Sequence, residues 1–214
     1  MNRFEFSFRR YTAADVATQG YIAFIGIFVL LFHDDSVAHW PALVGLHLAG
    51  VLNRGGRMDL QDGVRVEGDQ REFVLVEGEE GSDRPKVTIT QKDVRQVQLA
   101  KGAIRTGIQI LLDSKGLSEE DIDEVIIAGA FGTYIDVGSA ITIGMLPALP
   151  VDRFRQVGNA AGRGATLALV SNAKRREAHA MARKVGYIEL ASSPDFMNIF
   201  TQAMYLGPYR EEED

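Results

Sequence analysis

Between residues 64 and 90, apolar and polar positions alternate over short runs. The segments VRVEG (64–68), EFVLVEG (72–78) and KVTIT (86–90) are rich in β-branched or aromatic residues and are bounded by Gly, Asp or Pro. Runs of this kind are typical of β-strands. Three short strands that follow one another along the chain predict an antiparallel meander.

The next segment, QKDVRQVQLAKGAIRTGIQILLDSKG (91–116), changes to a helical period. Thr90 and Asp93 form a capping-box-like start, and Lys115-Gly116 supplies an end signal. One long helix is therefore predicted. Its apolar residues fall on one face, namely Val94, Val97, Ile104, Ile108 and Leu111.

Beyond this helix, strands and helices alternate. EVIIA (124–128) is apolar on both faces, as in a buried parallel strand, and FRQVG (154–158) is a second such run. One or two helices follow, and GYIEL (186–190) predicts a further strand. A last helix opens at Ser193-Pro194. The predicted fold class is α/β, a ribonuclease-H-like lobe with an antiparallel meander followed by alternating strands and helices.

Residues 1–45 do not share this regular pattern. Their apolar run YIAFIGIFVLLF (21–32) is too short to cross a bilayer, which takes about 20 residues. Its length suits the core of a signal peptide, although HDDS follows and no A-x-A-like cleavage site does. A buried strand or helix is the favoured interpretation, and a signal peptide or a segment without a stable partner are the alternatives that stay open.

Composition narrows the possible functions. The 214 residues carry a net charge of −6 with a pI near 5.3, which argues against binding nucleic acid. The chain has no cysteine, so it cannot itself hold a thiolate zinc site or a cysteine-ligated iron–sulfur cluster. Its four histidines lack metal-like spacing, and no metal site is predicted. The absence of cysteine also fits a reducing cytoplasm, the expected location.

Two glycine turns lie close together in VIIAGAFGTYIDVGS (125–139). The first, with Gly129 and Gly132, follows a buried strand, where a ligand can approach the backbone closely. Glycine needed only for the geometry of the turn is an equally good explanation. The usual phosphate fingerprints G-x-G-x-x-G and G-x-x-x-x-G-K-[ST] are both absent.

The second turn, DVGS (136–139), resembles a phosphate loop, yet a helix cap explains it better. Asp136 would be the N-cap of a short helix, with Gly144 near the helix end. A third cluster, GNAAGRGA (158–165), suits either an anion site or close packing, and packing is slightly favoured. Gln98, Lys101 and Arg105 share one helix face, which is expected to be solvated unless a ligand lies beside it.

Four blocks of the chain carry a family resemblance. The blocks are TQKDVRQVQLAKGAIRTGIQILL, IIAGAFGTYIDVGSAITIGMLP, RFRQVGNAAGRGATLALVS and ARKVGYIELASSPDFMNIFTQAM. In order and spacing they resemble the C-terminal part of the reductive activators of corrinoid proteins, which belong with acetate and sugar kinases, heat-shock chaperone ATPases and actin. The resemblance covers about residues 46–206, with residues 1–45 as an atypical segment and 207–214 as an acidic tail.

This resemblance implies a function. Members of the family have a [2Fe–2S] domain and a two-lobed ATPase core, and they use ATP to reduce a cobalt(II) corrinoid to cobalt(I). Residues 46–206 would be most of the second lobe. The residues implied to contact the nucleoside are Gly129, Ala130, Phe131 and Gly132 at the strand end, with Gln98 and Lys101 on the long helix. Ala130 replaces the second glycine of the usual superfamily pair.

The same resemblance implies an incomplete site. Neither aspartate–glycine phosphate loop of the superfamily has a counterpart in residues 1–63, so ATP and Mg²⁺ are expected to bind weakly, and no catalytic residue is assigned. The chain is expected to be inactive alone, as a truncated paralogue or an incomplete reading frame. Expected partners are a corrinoid protein or corrinoid-dependent methyltransferase, a separate first lobe, or a second copy, and neither nucleic acid nor a membrane span is expected. The alternatives are a non-catalytic docking module for a corrinoid protein and a small kinase-like enzyme that uses DVGS.

Overall fold

A computed structural model describes residues 22–23, 40–78, 86–129 and 135–209. The chain divides into two compact units. The meander unit comprises Ile27–Gln109, Asp136–Ala148 and Pro194–Asp214, and the parallel-strand unit comprises Met1–Gly26, Ile110–Ile135 and Leu149–Ser193. No helix within the described ranges is long and apolar enough to cross a membrane.

The predicted meander is confirmed. After a two-residue strand of the other unit, β1 (Ile22–Ala23), come β2 (Val64–Glu67), β3 (Gln70–Val76) and β4 (Val87–Thr90), which pair antiparallel in the order β2-β3-β4. Glu67 faces Gln70, so the β2–β3 connection has only two residues, and the first is Gly68 with φ +61°. Glycine adopts this left-handed conformation without the steric cost that other residues meet in tight hairpins.

Two helices flank the meander in sequence, α1 (Trp40–Leu48) and α2 (Gln91–Lys115). The capping box predicted for α2 is present: Thr90 N donates to Asp93 Oδ2 at 2.8 Å, and Asp93 N donates to Thr90 Oγ1 at 3.2 Å. Gly116 ends the helix with φ +64°, as the sequence predicted.

The apolar face of α2 is also as predicted, since four of its five residues are buried and Leu111 is half-buried. Two short helices complete the meander unit, α3 (Val137–Thr142) and α6 (Phe196–Ala203). Gly144, just after α3, lies so close to Gly207 that a Cβ atom on Gly144 would be 1.8 Å from the Gly207 carbonyl oxygen. The segments after α3 and α6 are therefore in direct backbone contact.

The parallel-strand unit contains a sheet in the order β1-β5-β6, with all pairs parallel. Beside β1, its strands are β5 (Val125–Ala128) and β6 (Phe154–Gly158). The parallel pairing predicted for the strands at 124–128 and 154–158 is thus confirmed. The burial predicted for them is wrong, because every residue of β5 and β6 is half-buried or exposed. Of the apolar run 21–32, only β1 is described, as a strand beside β5; the other residues of that run lie outside the described residues.

Helices α4 (Ala160–Val170) and α5 (Asn172–Ala182) follow β6, so the segment predicted as one or two helices is two. Neither helix has a buried residue. Leu169 is 77% exposed and Val170 is 75% exposed. These helices therefore leave apolar surface uncovered, which is uncommon for a parallel α/β sheet.

The prediction of a strand at residues 186–190 is wrong. Residues 185–189 have no regular structure, and a single 3₁₀ turn follows at Leu190–Ser192. No described strand pairs with this segment, and Tyr187 is 84% exposed. Alternating apolar residues do not form a strand here because a strand needs a neighbour for its backbone hydrogen bonds.

Candidate functional site

Gly129 lies at the carboxyl end of β5. Its amide donates to the carbonyl oxygen of Gly158, at the end of β6, over 2.8 Å, and both glycines have positive φ, +97° and +64°. A Cβ atom on Gly129 would meet no atom of the described residues within 4 Å, and the positive φ is the reason that glycine suits this position. Two adjacent parallel strands thus end in glycine at the edge where α/β sheets bind ligands.

The other three residues of the predicted turn, Ala130, Phe131 and Gly132, lie outside the described residues. Their contact with a nucleoside therefore stays a prediction. Gly129 is the one member of the turn whose geometry is described.

Gln98 is predicted to contact the nucleoside, and the structure places it between two loops of the meander unit. Its Nε2 donates to the carbonyl oxygens of Gly55 and Met204, each at 3.0 Å. The second contact joins residues 106 positions apart in sequence. The side chain thus holds the segment after α6 against α2, and its nucleoside contact stays a prediction.

Lys101 is buried, with 1% of its surface exposed. Its Nζ donates to the carbonyl oxygens of Ala203 and Tyr205, at 2.6 and 2.5 Å. The carbonyl groups at the end of a helix have no partner within that helix, and Lys101 satisfies one of these at Ala203. As for Gln98, the contact of Lys101 with a nucleoside stays a prediction.

Burial also changes the acidity of Lys101. Desolvation, followed by repulsion from Arg105 and Arg54, lowers the pKa of Lys101 to about 7. A neutral amine keeps two N–H donors, which matches the two carbonyl acceptors beside it. Lys101 can therefore lose its proton without losing either hydrogen bond.

The prediction that Gln98, Lys101 and Arg105 form a solvated face is wrong. Arg105, like Lys101, is only 1% exposed, and Gln98 is half-buried. The Arg105 guanidinium lies 4.6 Å from the centre of the Tyr209 ring and donates to Gln109. These three polar residues pack against residues 203–209 near the C-terminus. Burial is possible because that segment supplies carbonyl acceptors and the aromatic ring of Tyr209.

The DVGS segment is a helix cap, as favoured from the sequence. Asp136 Oδ1 accepts a hydrogen bond from Ser139 N at 2.7 Å, at the start of α3. Hydrogen bonds from the Ser139 hydroxyl and amide lower the pKa of Asp136. These contacts explain the motif without a phosphate ligand.

The glycines of GNAAGRGA are not explained by packing, because α4 buries none of its residues. Asn159 caps α4 by accepting from Gly162 N at 2.8 Å. A Cβ atom on Gly162 would come within 2.6 Å of the Asn159 side chain, whereas one on Gly164 would meet nothing within 4 Å. Gly162 therefore makes room for the cap.

Comparison with known proteins identifies the family. The family model described as the C-terminal domain of RACo, the ASKHA domain, matches residues 41–213. The chain belongs to this family. The actin-like ATPase fold implied by the resemblance is therefore confirmed.

Individual relatives agree with this assignment. The chain is 43% identical over 141 residues to the corrinoid activation enzyme RamQ of Eubacterium limosum, covering 66% of this chain and 24% of that protein. It is 28% identical over 134 residues to a [Co(II) methylated amine-specific corrinoid protein] reductase of Methanosarcina barkeri, covering 58% of this chain and 25% of that one. The chain thus spans about a quarter of the length of these relatives.

A solved structure shows the same likeness. The reductive activator for corrinoid, iron-sulfur protein superposes with a TM-score of 0.69 at 36% identity, covering 78% of this chain and 27% of that one. Among the described residues of this ASKHA-family chain, no three His, Asp or Glu side chains are grouped to hold a metal ion.

The meander unit contains a cleft that the sequence patterns did not predict. Its walls come from three segments, the turn before β2, the β2–β3 hairpin and the first turns of α2. Because these segments are far apart in sequence, only their chain folding brings them together. The lining residues are Gly55, Arg57, Asp69, Gln70, Arg71, Gln91, Lys92, Arg95 and Gln98.

Proposed function

We propose that this chain is the nucleotide-binding part of the ASKHA core of an ATP-dependent reductive activator of corrinoid proteins. The activator would return a cobalt(II) corrinoid to cobalt(I). The observation that carries the proposal is the family match over residues 41–213, supported by a solved reductive activator at 36% identity. The names of these relatives supply the substrate class.

Gly129 is the described residue that best fits a nucleotide. It ends a parallel strand, has φ +97° and presents no side chain, so a ligand could approach the backbone. We assign Gly129, Ala130, Phe131 and Gly132 to the adenosine. The binding and hydrolysis of ATP would supply the free energy for the reduction.

Gln98 and Lys101 have a more specific part in this proposal. Their donors already bind the carbonyl oxygens of Gly55, Ala203, Met204 and Tyr205. A nucleoside could take up these same N–H groups only by displacing one of the carbonyl groups. We therefore propose that both residues act first by fixing the segment after α6.

Electrons must come from a redox group that is not ligated by cysteine of this sequence, since the sequence has none. The partner that receives them would be a corrinoid protein. The sequence also lacks the aspartate–glycine phosphate loops of the superfamily. We therefore propose that this chain by itself binds Mg-ATP only weakly.

Calorimetric titration with Mg-ATP and Mg-ADP tests the proposal. The expected result is weak binding, at millimolar concentrations, that Gly129→Ala reduces further. Gly116→Ala is the matched control, because Gly116 also has positive φ and open space where a Cβ atom would lie. Micromolar binding would contradict the incomplete site, and equal effects of the two substitutions would contradict a nucleotide at Gly129.

A docking module is a second candidate, favoured by the uncovered apolar side chains of α4 and the segment after α5. Leu169, Val170, Val185 and Tyr187 are each at least 70% exposed. Exposed apolar patches mark interaction surfaces. A pull-down with a corrinoid protein, with and without nucleotide, separates the candidates: nucleotide-independent capture favours docking, and nucleotide-dependent capture favours the ATPase core.

A further inference from the structure

The cleft in the meander unit has a volume of about 370 Å³. Its lining includes four cationic side chains, Arg57, Arg71, Lys92 and Arg95, and one carboxylate, Asp69. The whole chain has a net charge of −6, so this local excess of positive charge opposes the overall balance. Like charges that gather in a concave site raise the local concentration of oppositely charged ligands.

Three of these cations have no partner among the residues that the structure describes. Within the described residues, the side chains of Arg57, Lys92 and Arg95 make no hydrogen bond or ion pair, and all three are exposed. The fourth, Arg71, donates from Nη1 to the carbonyl oxygen of Met58. Most of the positive charge is therefore available to a ligand.

Neutral side chains fix the cleft's frame. Gln91 donates to the carbonyl oxygen of Gly56 at 2.6 Å and accepts from Met58 N at 2.9 Å, and Gln98 donates to the carbonyl oxygen of Gly55 at 3.0 Å. These bonds join the turn at residues 55–58 to α2. Because these hydrogen bonds order the cleft before a ligand arrives, less conformational entropy is lost on binding.

We propose that this cleft binds a small anion that carries one or two phosphate groups. Two free guanidinium groups and an ammonium group offer more donors than the two oxygens of a carboxylate can accept, whereas a phosphate presents more oxygens. Because Asp69 also lines the cleft, its surface is not uniformly cationic. The carboxylate favours a ligand that carries a hydrogen-bond donor or a bound cation in addition to its phosphate.

This inference goes beyond the proposed function. All the lining residues belong to the meander unit, and Gln98 is the one that they share with the predicted nucleoside contacts, whereas Gly129 belongs to the parallel-strand unit. The cleft site needs no adenosine. It can therefore be correct if the nucleotide proposal fails, and the reverse is also true.

Calorimetric titration of the full chain with inorganic pyrophosphate at low ionic strength tests the site. The variant Lys92→Gln/Arg95→Gln should weaken binding about tenfold or more, because hydrogen bonds to charged groups are the strong ones. Arg176→Gln, at an exposed arginine of α5, is the control and should bind as the unmodified chain does. Circular dichroism melts check that the variants fold.

Two further ligands define the chemistry. ADP that competes with pyrophosphate at the cleft would identify a nucleotide as the phosphate source, whereas pyrophosphate binding without competition would identify a free phosphate compound. A tetraglutamate peptide that binds as tightly as pyrophosphate would overturn the preference for phosphate. The proposal is also overturned if pyrophosphate does not bind at millimolar concentration, or if the double variant binds as well as the control.

Discussion

The two units differ sharply in how they bury apolar side chains. The meander unit has a core to which α1, β4, α2, α3 and α6 all contribute, with Leu43, Leu52, Met58 and Ile89 at most 1% exposed. In the described part of the parallel-strand unit, the buried apolar residues come from the end of α2 and from loops, and helices α4 and α5 contribute none.

This difference shows that regular secondary structure does not imply a covered core. The parallel-strand unit has good helix caps and paired strands, yet it leaves Leu169, Val170 and Val185 at least 70% exposed. Burial of apolar area is the main favourable term in folding. We therefore expect the meander unit to carry most of the chain's stability and the parallel-strand unit to be where a partner binds.

A matched pair of leucine substitutions gives the largest expected contrast. Leu52→Ala, at a residue 1% exposed, should lower the free energy of unfolding by about 2–5 kcal/mol. Leu169→Ala, at a residue 77% exposed, should change it by less than about 0.5 kcal/mol. Urea unfolding measures both, and a similar cost at the two sites would show that α4 is covered in solution.

Glycine substitutions test the same contrast through the backbone. Gly144→Ala should cost about 2–4 kcal/mol, since φ is +74° and the new Cβ atom would collide with the Gly207 carbonyl oxygen. Gly164→Ala, inside α4 with open space around it, should be neutral or stabilise by up to about 1 kcal/mol. Thermal melts rank the two variants, and a destabilising Gly164→Ala would indicate an unseen contact on α4.

The buried lysine of the meander unit predicts a pH effect. Because the pKa of Lys101 is lowered to about 7 in the folded state from 10.5, the unfolded state binds more protons between these values. The contribution of Lys101 to stability should therefore rise as pH increases from about 7 toward 10. The substitution Lys101→Met should lower the free energy of unfolding more at pH 9 than at pH 6.

The matched control is Lys115→Met. Lys115 is exposed in the last turn of α2, and this end of the helix belongs to the parallel-strand unit. Its effect on the free energy of unfolding gives the baseline for replacing a lysine outside the core. Urea titrations at several pH values make the comparison. A cost of Lys101→Met that stays constant or falls with pH would show that the ammonium keeps its charge when buried.

Helix caps should give the smallest effects. Asp136→Ala removes the cap of α3, and Asn159→Ala removes the cap of α4; each should cost about 1 kcal/mol. The pKa of Asp136 is lowered in the folded state, so its contribution is present near neutral pH and is lost as pH falls through that lowered pKa. Urea unfolding at pH 7 and in acid should separate the two, because the cap at Asn159 does not titrate.

Local features were predictable because their interactions are local. The capping box of Thr90 and Asp93 and the cap of Asp136 each join residues three apart, so spacing along the chain specifies them. The 25-residue helix α2 follows from its period, and the meander follows from alternation and glycine turns. The strand predicted at 186–190 failed because a strand also depends on a neighbour, which its own residues cannot specify.

The sequence by itself determined the class of elements, most of their ends and the family resemblance. Only the tertiary structure decided that Lys101 and Arg105 are buried, that Gln98 holds the segment after α6, and that four cations line one cleft. The bonds that Gln98 and Lys101 make to residues 203–205 span 102 to 106 residues of sequence. Periodicity reports which residues share a helix face, whereas burial depends on which distant segment packs on that face.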